Sequence, residues 1–339
     1  MLEPVTLGSP LAAPDLDSIE KTARQLYPPI QRTPLLAHRG AGGDESARIL
    51  LKPEIHQRVG SFKLRGMYHA VASLTDSERR QGLSTVSAGN AAQALAWCGR
   101  YFGVAAYCLM PENAPRAKIE AVRALGGTPR LVSREEVFGF LRGGRWHDEP
   151  YAFVHPWIDR RVVLGHASLG LEIADDVEYL EKGGRIDVFL PVGGGGLLAG
   201  TASALRARGA PVRIVAVEPT GCPALARALE ADRPVTVDCV TACDGIAVPY
   251  VTEEMFPLLR ELVDDVALVE EGATRSAIRE LALYDKMVVE PAGAIALAAA
   301  KARRDRSHFA VAVISGGSID PALLAELLRG DDARARGAG

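Results

Sequence analysis

Lys63, in the stretch SFKLRG (61–66), combines residue type and position in a way that suggests reactivity. It stands just inside an apparent helix start. There the positive end of the helix dipole and partial desolvation lower an amine's pKa and make it a nucleophile. Arginine greatly outnumbers lysine in this chain, so a lysine in such a place is conspicuous. Three turns rich in glycine and serine leave strand-like runs elsewhere. In VSAGNAAQALAW (86–97), Ser87, Ala88, Gly89 and Asn90 open a helix. Free amides at such a turn can hold an anion such as a carboxylate, although a simple capped turn has the same composition. In PVGGGGLLAG (191–200), Gly193, Gly194, Gly195 and Gly196 lie between a strand and a helix and can wrap a phosphate. Four flexible residues in a row cost ordering entropy, and a bound ligand is the return expected for it. In VISGGSID (313–320), Ser315 leaves a buried strand into a Gly-Gly turn.

The second turn fits two kinds of phosphate ligand. No Lys-Ser/Thr follows the glycines, which excludes a P-loop. Residues 194–199 fit G-x-G-x-x-A and Glu218 ends the next strand, so a dinucleotide remains open on this segment. The four features together decide between them. A dinucleotide enzyme uses one turn and leaves Lys63 and Ser315 idle. A phosphorylated aldehyde uses all four: Lys63 forms a Schiff base, the glycines hold the phosphate, Asn90 reaches the ring, and Ser315 faces the ring nitrogen.

Positioning these residues requires alternating strands and helices. The runs at 83–88, 104–110, 128–133, 186–192, 213–219 and 309–316 read as strands, and several are nearly continuous apolar stretches, as expected for parallel strands covered on both faces. Helical patterns lie between them. LRGMYHAVASL stripes Leu64, Met67, Val71 and Leu74, and PRAKIEAVRALGG starts at proline and stops at glycine. The residues therefore predict an α/β fold with parallel sheets. FLRGGRWHDEP (140–150) reads as a loop near a domain edge, and RGDDARARGAG at the end as a disordered tail.

Composition narrows the function classes. The 339 residues are 48% hydrophobic and 24% charged, with a net charge of -3, enough for a large core and wrong for a nucleic-acid binder. No long uncharged apolar run suggests a membrane span, and the acidic N-terminus does not read as a secretory signal. Five scattered cysteines (98, 108, 222, 239 and 243) suggest free thiols in a reducing, cytoplasmic setting. The four-residue spacing of Cys239 and Cys243 would put them on one face if helical, but no further ligand accompanies them and no metal is expected.

GSFKLRG, SAGNAAQ, PVGGGGLLAG, CDGIAV, EPAGAIAL and SGGSID occur in the order seen in the serine/threonine dehydratase group of fold-type II pyridoxal-phosphate enzymes, which this chain resembles over roughly residues 20–330. The resemblance implies two domains, each with a twisted, mainly parallel sheet flanked by helices. Residues 1–57 and 158–330 would form the large cofactor-binding domain, 58–157 the small one, and 331–339 the tail. It implies Lys63 as the catalytic Schiff-base lysine with Phe62 packed beside the cofactor. Asn90 would bond the ring hydroxyl, Gly193 to Gly196 and the Leu197 amide would hold the phosphate, and Ser315 would meet the ring nitrogen. Ser87, Ala88, Gly89, Asn90 and Ala91 would grip the substrate carboxylate. A homodimer acting on a small amino acid, with pyridoxal 5'-phosphate as its cofactor, is implied as well.

A neutral serine at the ring nitrogen leaves the carbanion less delocalised than an aspartate would, which favours β-elimination over transamination. The expected reaction removes water from a β-hydroxy amino acid and yields a 2-oxo acid and ammonia. β-Replacement, a nicotinamide oxidoreductase and a non-catalytic amino-acid sensor are the competing readings. The sequence departs from the group at Ala91 (usually histidine), at Gly165-His166-Ala167-Ser168 (usually G-Q-G-T) and at Trp157, where a smaller polar residue is common. These changes allow a substrate bulkier than serine or threonine. Ala88 stands where racemases carry an acid/base serine, so racemisation is not expected. Glu218 is kept where some relatives bind a divalent cation, but the aspartate expected six residues on is Ala224. The regulatory domain of the long threonine dehydratases is not expected at this length.

Overall fold

A computed structural model describes residues 9–40, 49–178, 180, 185–303 and 309–329. The expected tail at 331–339 lies outside the described residues. Among the described residues, ten strands form two sheets: β1 Leu36–Ala37, β2 Ile49–Pro53, β3 Leu83–Val86, β4 Ala106–Pro111, β5 Thr128–Val132, β6 Ala152–Phe153, β7 Ile186–Pro191, β8 Val212–Pro219, β9 Asp265–Val269 and β10 Phe309–Ile314. The larger sheet has the order β1-β2-β10-β7-β8-β9 and the smaller β5-β4-β3-β6. Each pairing of these strands is parallel except β1 with β2.

The sheets are α/β because their strands have two faces to bury. Along β7 and β8, Val188, Leu190, Ile214 and Ala216 join a core with Leu198, Ala202 and Ile173. Their neighbours Phe189, Val215 and Val217 join the opposite core with Ile295, Ala299 and Ile278. A strand buried on both sides reads as a continuous apolar run, and that is why IDVFLP and VRIVAVEP are legible as strands. The smaller sheet has a core of its own, in which Leu83, Cys108 and Met110 meet Met67, Val71 and Leu95.

Three local readings change. The segment 140–150 is not wholly loop: helix Arg134–Arg142 runs into it, and a 3-10 turn follows at Arg145–Asp148. Burial of Val137, Phe140 and Leu141 sustains that helix, and the Ser133 hydroxyl accepts from the Glu136 amide to cap it. The cysteines are not all free. Cys222 and Cys239 are joined in a disulfide, because the chain returning through Val240 bonds its amide to the Gly221 carbonyl at 2.9 Å and brings the two Cα atoms within 4.4 Å. Cys98, Cys108 and Cys243 are free and buried. Cys239 and Cys243 share no helix face, since their segment is irregular. Among the described residues, no helix is long and apolar enough to cross a membrane.

Candidate active site

The turn after β10 meets the start of the Lys63 helix. Ser61 and Gly316 form an antiparallel bridge, the Phe62 amide donates to the Ser315 carbonyl at 3.1 Å, and the Gly317 amide donates to the Gly60 carbonyl at 2.9 Å. Two segments about 250 residues apart in sequence are thereby placed side by side. Lys63 is the first residue of helix Lys63–Ala72, and its Nζ donates to the Pro156 carbonyl at 2.8 Å, 5.1 Å from the centre of the Phe62 ring. Burial pushes this amine down from 10.5 to about 8. The neutral amine is the form that attacks a carbonyl, and about one in ten would be neutral at pH 7. Attachment of pyridoxal phosphate to the apoprotein is therefore expected to accelerate with rising pH and to reach half its limiting rate near pH 8. A stopped-flow absorbance titration checks this; a profile still rising steeply at about pH 10 would show an ordinary solvated lysine.

The four glycines line the same cavity as Lys63, Asn90 and Ser315, a space of about 320 Å³. Glycine is required there for packing as well as for open amides, contrary to the expectation that a ligand is its only return. A Cβ on Gly193 would come within 2.9 Å of the Ile246 Cα, and one on Gly196 within 3.1 Å of the Trp157 backbone. One on Gly194 would strike the Trp157 ring, and Gly195 has φ +89°. Helix Gly196–Ala207 begins at this loop, so its unpaired first amides and the positive end of its dipole face the cavity.

Asn90 heads helix Asn90–Phe102. Its Nδ2 donates to Glu290, while its Oδ1 is buried without a partner. Ser315 is 4% exposed, and its hydroxyl donates to the Ala292 carbonyl at 3.2 Å, leaving lone pairs and a rotatable proton. Ser87 orders the neighbouring turn by accepting from the Gly89 amide at 3.1 Å. Ala88 and Ala91 line the cavity with methyl groups, although Ala91 is only 2% exposed and belongs mostly to the core beneath.

Lys118, which sequence reasoning left out, helps enclose the cavity, and His166, read there only as a departure from the group, packs against Phe62. Lys118, from helix Arg116–Ala124, lies over Gly89, where a Cβ would come within 2.8 Å of its Cδ. Its amine bonds Asp244 Oδ2 at 2.6 Å and Glu290 Oε2 at 3.2 Å. Burial alone would lower it, but the Glu290 and Asp244 carboxylates outweigh that and hold it above the ordinary lysine range. The motifs CDGIAV and EPAGAIAL were legible, but the counter-ion joining them was not. His166 is fully buried with neither ring nitrogen partnered, 4.8 Å from the Phe62 ring. Burial, followed by the charges of Lys63 and Arg65, holds it neutral.

The acid required by a dinucleotide fingerprint is used elsewhere. Glu218 is 1% exposed and accepts from the Leu225 and Ala226 amides at 2.7 and 2.9 Å, capping helix Ala224–Ala231. It does not line the cavity around the glycines, and a ribose hydroxyl there would lack its acceptor.

A partly buried lysine of lowered pKa, a glycine cradle at a helix N-terminus, an orphaned amide oxygen and a hydroxyl at the facing strand end fit one group: a phosphorylated pyridine aldehyde. This is the class of site found in pyridoxal-phosphate enzymes built on two parallel sheets. The comparisons with known proteins agree. Residues 26–316 match the family model described as "Pyridoxal-phosphate dependent enzyme". The L-threonine ammonia-lyase of Thermotoga maritima is 35% identical over 310 residues, covering 90% of this chain and 76% of that one. The serine racemase of Oryza sativa subsp. indica is 31% identical over 331 residues, covering 93% and 94%. Among solved structures, a threonine deaminase from T.th. superposes with a TM-score of 0.80 at 36% identity, covering 91% of this chain and 99% of that one. Maize serine racemase superposes with a TM-score of 0.83 at 29% identity, covering 96% and 100%. The chain belongs to the pyridoxal-phosphate-dependent enzyme family.

Proposed function

We propose that this enzyme removes water from a β-hydroxy amino acid and releases a 2-oxo acid and ammonia. The observation that carries the reading is the pairing of a desolvated Lys63 amine with the Ser315 hydroxyl in one glycine-floored cavity. Similarity to proteins named L-threonine ammonia-lyase supports it.

Lys63 would hold the cofactor covalently, the amides of Gly193 to Leu197 its phosphate, Asn90 its ring hydroxyl, and Ser315 its ring nitrogen. When bound, pyridoxal phosphate supplies the electron sink that acidifies the substrate α-hydrogen. The amides of the Ser87–Ala91 turn orient the substrate carboxylate at the start of helix Asn90–Phe102. Lys63 Nζ, whose lowered pKa makes the neutral amine accessible, would take the α-proton. Ser315 can donate or accept but bears no charge, so it does not fix a proton on the ring nitrogen; this favours loss of the β-hydroxyl over return of the proton elsewhere. Phe62 keeps water from one side of the amine.

Holoenzyme incubated with β-hydroxy amino acids should release ammonia and 2-oxo acid in equal amounts, and an added thiol should not divert the product. A thioether formed at the expense of the oxo acid would instead assign β-replacement. We further propose that residues 58–157 move as one unit against the rest and that the enzyme works as a cytoplasmic homodimer. Sedimentation of the holoenzyme tests the second point.

A further inference from the structure

Helix Arg134–Arg142 turns one face to the cavity. Arg134, Val137, Phe138 and Leu141 all line it, at the i, i+3, i+4, i+7 spacing of a single helical stripe. Such a stripe ordinarily packs into a core, and Val137 and Leu141 partly do. Here the stripe also walls the space beyond the Ser87–Ala91 turn. Trp157 and Val248 line the same space. Two further side chains contact the phenyl ring of Phe138: the Arg134 guanidinium lies 5.6 Å from its centre, and Tyr250 meets it edge-on at 6.5 Å. The turn beneath adds the methyl groups of Ala88 and Ala91 beside the polar Ser87 and Asn90. The hydrogen on the β-carbon of serine, or the methyl of threonine, would leave this apolar wall facing water.

We infer that the preferred substrate is a β-hydroxy amino acid carrying an apolar aromatic ring on its β-carbon, the ring resting against Val137, Phe138, Leu141 and Trp157. The inference rests on the lyase reading and narrows it. For 3-phenylserine the step balances without oxidant or reductant. The α-proton goes to Lys63 Nζ and on to the departing oxygen, so the bond from the β-carbon to oxygen breaks and the hydroxyl leaves as water. The released enamine tautomerises and regains water on hydrolysis, giving phenylpyruvate and ammonia. Arg134 stands at the outer rim on the Phe138 face and is exposed, so it closes the aromatic wall rather than pairing with a substrate carboxylate.

Two measurements on the holoenzyme test this. The first compares kcat/KM for threo-3-phenylserine, threonine, serine and 3-hydroxyaspartate by ammonia release. Phenylserine should exceed threonine at least about tenfold, since a single methylene in a matched pocket is worth that much or more. The second is calorimetric binding of L-phenylalanine and L-2-aminobutyrate, which have no β-hydroxyl to lose; phenylalanine should bind at least about tenfold tighter. Phe138→Ala should lower both ratios, and Phe138→Leu, which removes the ring but leaves a smaller cavity, should lower them too and serves if the first variant does not fold. A preference for threonine or serine, or equal binding of the two unreactive ligands, overturns the aromatic site and leaves the lyase reading standing. A preference for 3-hydroxyaspartate overturns it in favour of Arg134 as an anion partner. Absence of turnover with every hydroxy amino acid, with phenylalanine still bound tighter, supports the aromatic site and sinks the lyase reading instead.

Discussion

Lys63→Ala should abolish turnover, lowering ammonia release by at least about 10⁴-fold, while the fold persists. One nitrogen is asked both to bind the cofactor and to move the α-proton, and proton transfer alone is worth about 10²–10⁴-fold. The side chain also lies at a helix start whose hydrogen bonds are made by backbone, with the Leu64 amide reaching the Ser61 carbonyl and the Arg65 amide the Phe62 carbonyl, so truncation leaves the local structure supported. Two readouts separate the roles. Intact mass after borohydride treatment should show the cofactor adduct on the unmodified protein and none on the variant. Equilibrium dialysis should show that the glycine cradle of the variant still retains pyridoxal phosphate, though more weakly. Ammonia release within about tenfold of the parent enzyme would remove Lys63 from the mechanism.

Arg65→Met should have the largest effect on stability. Arg65 is 0% exposed and binds two buried carboxylates at once. Its Nε and Nη2 reach Glu54 at 2.7 and 2.8 Å, and its Nη1 and Nη2 reach Glu172 at 2.6 and 3.0 Å. Lys52, also buried, joins Glu172 at 3.0 Å, and the Tyr27 hydroxyl donates to the same carboxylate. Burial would raise the Glu172 carboxyl, but Arg65 and Lys52 outweigh it and hold it ionised. Removing the guanidinium leaves Glu54 and Glu172 facing each other without their shared counter-ion. Breaking a buried pair in this way costs about 3–5 kcal/mol, or a melting temperature about 4–7 °C lower at this chain length. The loss should reach the site, because Arg65 is two residues from Lys63 on the same helix. The carboxylates it joins come from the end of β2 and from helix Arg160–Glu178, where a Cβ on Gly165 would come within 2.6 Å of the Arg65 carbonyl. A melting temperature within about 2 °C of the parent would show that the network can be replaced by packing.

The sequence discloses the strands because their burial is local: IDVFLP and FAVAVI carry apolar side chains for both faces, and no partner is needed to read them. Lys63, the glycine run and the SGGSID turn were legible for a related reason, since glycine, serine and lysine at strand and helix ends announce free backbone amides and a reactive amine. Helix Arg134–Arg142 was harder to read. Its first turn carries two glutamates and its end runs into Gly143 and Gly144, so charge and glycine hid a stripe that only the cavity reveals. The Cys222–Cys239 pair was missed because nothing in a 17-residue separation says that the chain doubles back. Glu218 misled for the opposite reason: an acid at the end of a strand suits a ribose as well as a helix cap, and the Leu225 and Ala226 amides are what decide it. Lys118 and its carboxylates come from three separated stretches, and no spacing rule joins them.

The ammonium of Lys118 is rooted beside the smaller sheet, whereas Asp244 and Glu290 belong to the larger one. The proposed movement of residues 58–157 against the rest would therefore drag a paired charge apart and force each member to find water instead. On the proposal that residues 58–157 move as a unit, this pair would act as an electrostatic spring between the jaws, one that salt screens little because Lys118 and Glu290 are buried.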